Sequence, residues 1–153
     1  MPFLIDGHNL IPNIGLHLDS LDDELELIRL LQEYCRLSRG QVEVYFDNAP
    51  AGQPSKKKHG MVTAHFVRRP DIADEAIRRR ITKLAGAAKN WTVVSSDRRV
   101  QAEARSAKAK VLSSDEFSRQ VRHTLQNKPA VEGESSLSDQ ELKEWLELFG
   151  KRR

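Results

Sequence analysis

Short apolar runs alternate with helical patterns along most of this chain, and the aspartates fall where the runs end. Phe3-Leu4-Ile5 stops at Asp6, the run Val42 to Phe46 stops at Asp47, and Trp91 to Val94 is followed after two serines by Asp97. Runs rich in β-branched and aromatic residues are strands buried on both faces, as in a parallel sheet covered by helices. Met61 to Val67 and Val111-Leu112 supply a third and a fifth strand. Leu27, Leu30, Leu31, Tyr34 and Leu37 recur at helical spacing within 21–37. A second helix, opened by Pro70-Asp71, carries Ala73, Ile77, Ile81 and Leu84 on one face, and a third runs from about Arg98 to Ala107. Ser113-Ser114-Asp115-Glu116 is a capping box that opens a fourth, with Phe117, Val121 and Leu125 in line. This βα alternation predicts an α/β domain with helices on both faces of a parallel sheet.

The 153 residues hold one ordinary core and little more. The domain is expected to occupy 1–126, with 127–137 as a linker and 138–153 as a C-terminal amphipathic helix and basic tail. That last helix has Ser138 as N-cap, Glu141 at the capping-box position and a Leu142, Trp145, Leu146, Phe149 stripe, with Gly150 ending it. Within the domain, 48–59 (NAPAGQPSKKKH) is rich in turn residues and is expected to be a mobile loop. A single cysteine, Cys35, excludes a disulfide framework and a cysteine-based zinc site. No apolar run approaches the roughly 18 residues of a membrane span, and the N-terminus lacks a signal-peptide pattern, so a cytoplasmic protein is expected.

Charge is unevenly spread. Residues 1–50 carry a net −6, residues 51–110 a net +10 from 15 basic and 5 acidic side chains, and 111–153 a net −1. A basic middle on a nearly neutral chain suits a polyanion such as nucleic acid, and equally suits solvated helix faces.

In an open parallel sheet, ligands bind beyond the carboxyl ends of the strands. Asp6, Asp47 and Asp97 lie there, and Asp74 falls in the first turn of the helix after the third strand. Carboxylates converging on one rim repel one another unless a cation offsets them, and hard oxygen donors suit Mg²⁺ or Mn²⁺. Each acid also has a plain structural explanation: Asp97 as an N-cap, Asp47 starting a turn with Asn48, Asp74 pairing with Arg78 at i+4. Asp6, between a buried run and Gly7, is the hardest to explain that way.

Four blocks bear a family resemblance. Leu4-Ile5-Asp6-Gly7-His8-Asn9-Leu10-Ile11, Val44-Tyr45-Phe46-Asp47, Ala73-Asp74 and Val93-Val94-Ser95-Ser96-Asp97-Arg98 resemble, in order and spacing, the strand-end motifs of YacP-like NYN domains in the PIN-like nuclease superfamily. The resemblance covers about residues 3–125 and departs at His8, where the family usually has Tyr. It implies a sheet of order 3-2-1-4-5 and a metal-dependent endoribonuclease, with some relatives acting on ribosome-associated RNA. It further implies that Asp6, Asp74 and Asp97 bind metal with Asp47 as a fourth acid, and that Asn9, Ser95 and Ser96 orient ligands or water behind them. Partners would be RNA (mRNA, rRNA or tRNA) and the ribosome, the chain itself being a monomer or homodimer.

Lys56, Lys57, Lys58, Arg68, Arg69 and Arg98 are the candidate RNA-backbone contacts. Arg78, Arg79 and Arg80 are consecutive, about 100° apart on a helix, and cannot all face one ligand. A nuclease using two of the five histidines lacks any sign that two lie together. DGHNLIP is no glycine-rich dinucleotide turn, and His8 stands where an aspartyl phosphatase needs its second Asp. The remaining alternative is a non-catalytic RNA- or ribosome-binding adaptor on the same fold.

Overall fold

The computed structural model describes residues 2–15, 21–47, 49 and 54–127. The expected linker beyond Asn127 and the C-terminal helix lie outside the described residues. Six strands form one sheet: β1 (Pro2–Asp6), β2 (Gln41–Phe46), β3 (Lys56–His59), β4 (Val62–Phe66), β5 (Thr92–Val94) and β6 (Lys110–Leu112). Their order is β3-β4-β2-β1-β5-β6, and only the β3–β4 pairing is antiparallel. The five parallel strands follow the expected 3-2-1-4-5 order.

The helices are α1 (Gly7–Ile14), α2 (Leu21–Ser38), α3 (Ala73–Leu84), α4 (Arg98–Ser106) and α5 (Ser114–Gln126), with a 3-10 turn over Ala85–Asn90. Alternate strand residues face opposite ways. Phe3, Ile5, Val42, Val44 and Phe46 therefore meet Leu27, Leu30, Leu31, Phe117 and Val121 on one side of the sheet. Leu4, Tyr45 and Val93 meet Ile77, Ile81, Val100 and Ala104 on the other. The Ser113–Glu116 capping box forms in both directions, as its sequence predicts. Among the described residues no helix is long and apolar enough to cross a membrane.

Three elements differ from the sequence expectations. Residues 7–14 form a helix that Pro12 hides from pattern reading, since proline normally breaks helices. Lys56–His59, expected within a mobile loop, is a strand paired with β4 from Lys56↔His65 to His59↔Val62. It lies at the sheet's edge, where exposed lysines are tolerated and no apolar alternation is needed. Finally, α3 begins at Ala73 rather than at Pro70-Asp71. Asp71 N–H closes a turn onto the Arg68 carbonyl at 3.0 Å, and the N-cap residue, Ile72, has no side-chain cap. The Asp47 carboxylate accepts the Ala73 N–H in its place.

Candidate active site

β1 leaves the sheet at Asp6, whose Oδ1 accepts the Asn9 N–H at 3.4 Å and so caps α1. The next residue must be glycine: a Cβ on Gly7 would stand 2.4 Å from Cε1 of Phe46. This close approach packs the start of α1 against β2 and leaves Asp6 only 6% exposed. Burial pushes its carboxyl from 3.8 to about 6; the Asn9 N–H opposes the shift, as does His8 when protonated, while the charges of Asp47 and Asp74 add to it. Asp6, Asp47 and Asp74 thus share one electrostatic neighbourhood at the carboxyl edge of the sheet.

His8 holds this neighbourhood in place. Its Nδ1 accepts the Asp47 N–H at 3.2 Å and its Nε2 lies 2.7 Å from Glu24 Oε2 on α2. With Nδ1 accepting, the proton sits on Nε2 and is donated to Glu24. Burial disfavours the charged imidazole, but the bond to Glu24 and its charge outweigh that and raise the His8 pKa above its ordinary value. A second proton would nevertheless face the Asp47 N–H, so the bonded geometry is that of the neutral ring. Glu24, His8, Asp47 and Ala73 form a continuous chain of hydrogen bonds from α2 to the first turn of α3. Spacing alone gave no sign of it, because His8 meets partners 16 and 39 residues away.

The residue after Ala73 is Asp74, 8% exposed. Its Oδ1 is buried with no hydrogen-bond partner, and its Oδ2 lies 3.9 Å from the Arg99 guanidinium. The i+4 pairing with Arg78 does not form; Arg78 reaches Glu103 on α4 at 3.4 Å instead. Asp97 does cap α4: its Oδ1 accepts the N–H of Arg99 at 2.8 Å and of Val100 at 3.3 Å. The residues expected to orient ligands hold this loop. Ser95 Oγ accepts the Asp97 N–H at 3.0 Å, Asn9 Oδ1 accepts the Ser96 N–H at 2.9 Å, and Ser96 Oγ accepts the Ser114 N–H at 3.2 Å.

Among the described residues, no three His, Cys, Asp or Glu side chains are grouped so as to hold one metal ion. The donors nonetheless suit a hard cation. Asp6 is desolvated beside two other acids, and Asp74 buries an oxygen that nothing satisfies. Mg²⁺ is commonly held by one or two carboxylates while keeping several waters, so it does not require a three-acid cage. Thiol chemistry is remote, because Cys35 is buried and its thiol is pushed up to about 11 by that burial.

The basic candidates separate by face. Lys56 and Lys58 lie opposite His65 and Thr63 on the α3 side of the sheet, and Lys57 lies opposite Ala64 on the α2 side. Because β3 runs antiparallel, Lys56 is the member of the triplet at the carboxyl edge. Arg68 and Arg69 are exposed between β4 and α3, and Arg98 is exposed at the start of α4. The three consecutive arginines diverge, as helix geometry requires. Arg80 makes two 2.9 Å bonds to Glu43 and lies 5.3 Å from the Trp91 ring, whereas Arg79 is solvent-facing.

A mostly parallel sheet in this order, flanked by helices and bearing aspartates along its carboxyl edge, is a PIN-like, nuclease-type fold. The chain belongs to the YacP-like NYN domain family, which it matches over residues 3–148. Its structure is similar to that of Rae1 (YacP) from Bacillus subtilis, with a TM-score of 0.64 at 26% identity over 81% of this chain and 75% of that one. A point mutant of the same Bacillus subtilis protein gives a TM-score of 0.62 at 23% identity over 97% and 91% of the two chains. No curated protein sequence matches the chain.

Proposed function

We propose that the protein is a metal-dependent endoribonuclease that hydrolyses RNA phosphodiester bonds at the carboxyl edge of the sheet. The observation that carries this reading is the buried acid pair: Asp6, held at about 6 by burial and neighbouring charge, and Asp74, with an unsatisfied buried oxygen. Acids so placed are costly without a cation. Asp6 and Asp74 would hold Mg²⁺ or Mn²⁺, with Asp47 and Asp97 as further acids. The ion, when bound, lowers the pKa of an attacking water and neutralises charge on the scissile phosphate.

The chain's own residues do the positioning. His8 and the Ala73 N–H fix Asp47, and Asn9, Ser95 and Ser96 hold the Asp97 loop against α1 and α5. Arg99 offsets part of the Asp74 charge. The exposed cations Lys56, Lys58, Arg68, Arg69 and Arg98 draw the RNA backbone toward the rim. The test is incubation of the purified protein with single-stranded and structured RNA, including mRNA, tRNA and ribosome-bound transcripts, in Mn²⁺ or in EDTA. Cleavage in Mn²⁺ that EDTA stops is the expected result.

A second reading, a non-catalytic RNA- or ribosome-binding adaptor, is favoured by one observation: no three of the described acids are grouped so as to hold one metal ion, and Asp6 and Asp97 both cap helices. RNA binding without cleavage in Mg²⁺ and Mn²⁺ would establish it in place of the nuclease.

A further inference from the structure

A cavity of about 640 Å³ opens between the β3–β4 edge and α3, lined in part by the 67–71 segment and by none of Asp6, Asp47, Asp74 and Asp97. Its size is that of a pocket for one small ligand, too small for a duplex. Lys56, Arg68, Arg69 and Arg79 line it, against a single carboxylate, Asp71, which stands 4.0 Å from Arg79 with both side chains largely exposed. Tyr45 and His65 also line it, their rings stacked 4.3 Å apart and 6° from parallel. Burial lowers the His65 pKa, with Lys56 and Arg80 adding to the effect and Glu43 opposing it, so this ring does not contribute a charge at neutral pH. The cations of this lining are therefore side chains of fixed charge.

The wall of this cavity is also the wall of the acidic site. Val67 donates its N–H to the Phe46 carbonyl at 2.8 Å and accepts the Ala49 N–H at 3.1 Å, on either side of Asp47. The loop that starts there carries Arg68, Arg69 and Asp71 past the cavity and ends at Ala73, whose N–H is bound by the Asp47 carboxylate. A polyanionic strand that follows this loop passes from the cations of the cavity to the segment bonded to Asp47. We infer that this cavity holds one nucleotide of a single-stranded RNA, its phosphate against Lys56, Arg68, Arg69 and Arg79, next to the nucleotide presented to the acidic rim. The inference rests on the RNA reading and adds to it a location, a strandedness and a cation, Arg79, that lies outside the acidic rim.

The test is the salt dependence of binding to a short single-stranded RNA oligonucleotide in EDTA, where cleavage does not run. Lys56→Ala/Arg79→Ala should weaken binding at least about tenfold in low salt and flatten the log–log salt slope by about 1.4, the value for two lost single-strand phosphate contacts. Lys57→Ala, on the other face of β3, and Lys89→Ala, in the 3-10 turn at the opposite edge of the sheet, should leave the slope unchanged. Lys56→Arg/Arg79→Lys should retain it. Both pocket residues are exposed, so an unchanged melting temperature shows that the double variant is folded. An unchanged slope in the double variant, or equal flattening by Lys57→Ala, overturns the pocket while leaving the RNA reading intact. A wild-type protein that binds no RNA overturns both.

Discussion

Asp6 and Asp97 are near-equivalents in sequence: each follows an apolar strand run and each caps the next helix. In the structure they differ in kind. Asp97 is only partly buried and accepts two backbone N–H groups, with its own N–H held by Ser95. Capping explains how its side chain is held. Asp6 receives one N–H at 3.4 Å, is almost fully buried and faces the charges of Asp47 and Asp74. Its carboxyl, moved from 3.8 to about 6, lowers the stability of the folded state by about 3 kcal/mol once both folded and unfolded forms are ionised. Local structure does not require that cost, since an amide would cap equally well. If the proposed function holds, the destabilising acid at this strand end is stability given up to hold a cation.

The largest expected effects test whether both aspartates serve the reaction despite this difference. Asp6→Asn, Asp74→Asn and Asp97→Asn should each reduce metal-dependent RNA cleavage at least about 100-fold in a matched Mn²⁺ assay. Full activity of Asp97→Asn would mean that the cap is its whole role and would leave the site to the other acids.

Stability should then separate the pair. A group whose folded pKa is raised binds its proton more tightly in the folded state, so Asp6 lowers stability as pH rises from about 4 through about 6. Without divalent metal, Asp6→Asn should therefore be more stable than wild type at pH 8, by up to about 3 kcal/mol, and within about 0.5 kcal/mol of it at pH 4. Denaturant melts at the two pH values measure this, and a variant less stable at both would refute the account of Asp6. A cation that pairs with ionised Asp6 should offset the same deficit. Mn²⁺ at one hundred times its dissociation constant should stabilise wild type by about 2.7 kcal/mol at pH 7.5, less at pH 5, and little in Asp6→Asn.

Smaller effects come from the supports. His8→Asn keeps an acceptor near the Asp47 N–H but loses Glu24; His8→Gln does the reverse. If holding Asp47 is what matters, cleavage should fall about tenfold in His8→Gln and less in His8→Asn. Asp97→Asn should change stability by at most about 1 kcal/mol, because Asn caps nearly as well as Asp.

The parallel strands, the acids at their ends and the Ser113–Glu116 capping box were legible because each is written in consecutive residues. What escaped the sequence depends on distant partners. The strand Lys56–His59 exists because β4 offers an unpaired edge, and three lysines and a histidine have no apolar rhythm to announce it. The start of α3 is set by Asp47, 26 residues earlier, so a search for a local cap favoured Pro70-Asp71. Asp74 met Arg99 rather than Arg78 because α4 packs beside α3, a contact that helical spacing cannot foresee. For the same reason Asn9, Ser95 and Ser96 are recognisable as polar residues near the acids, whereas their bonding to one another's loops is a property of the assembled sheet.

The lysine strand has a consequence for how copies of this protein meet. A sheet has two flanks with unpaired backbone groups, each able to template a foreign strand. One flank here, β6, is only three residues long. The other, β3, carries Lys56 and Lys58 on one face and Lys57 on the other, so a second copy approaching edge to edge meets like charge from both sides. Lys56 and Lys58, on the cavity's face, thus join Lys57 in a defence against aggregation as well. Replacing all three with alanine would open that flank, and light scattering should report the loss of solubility alongside any loss of RNA binding.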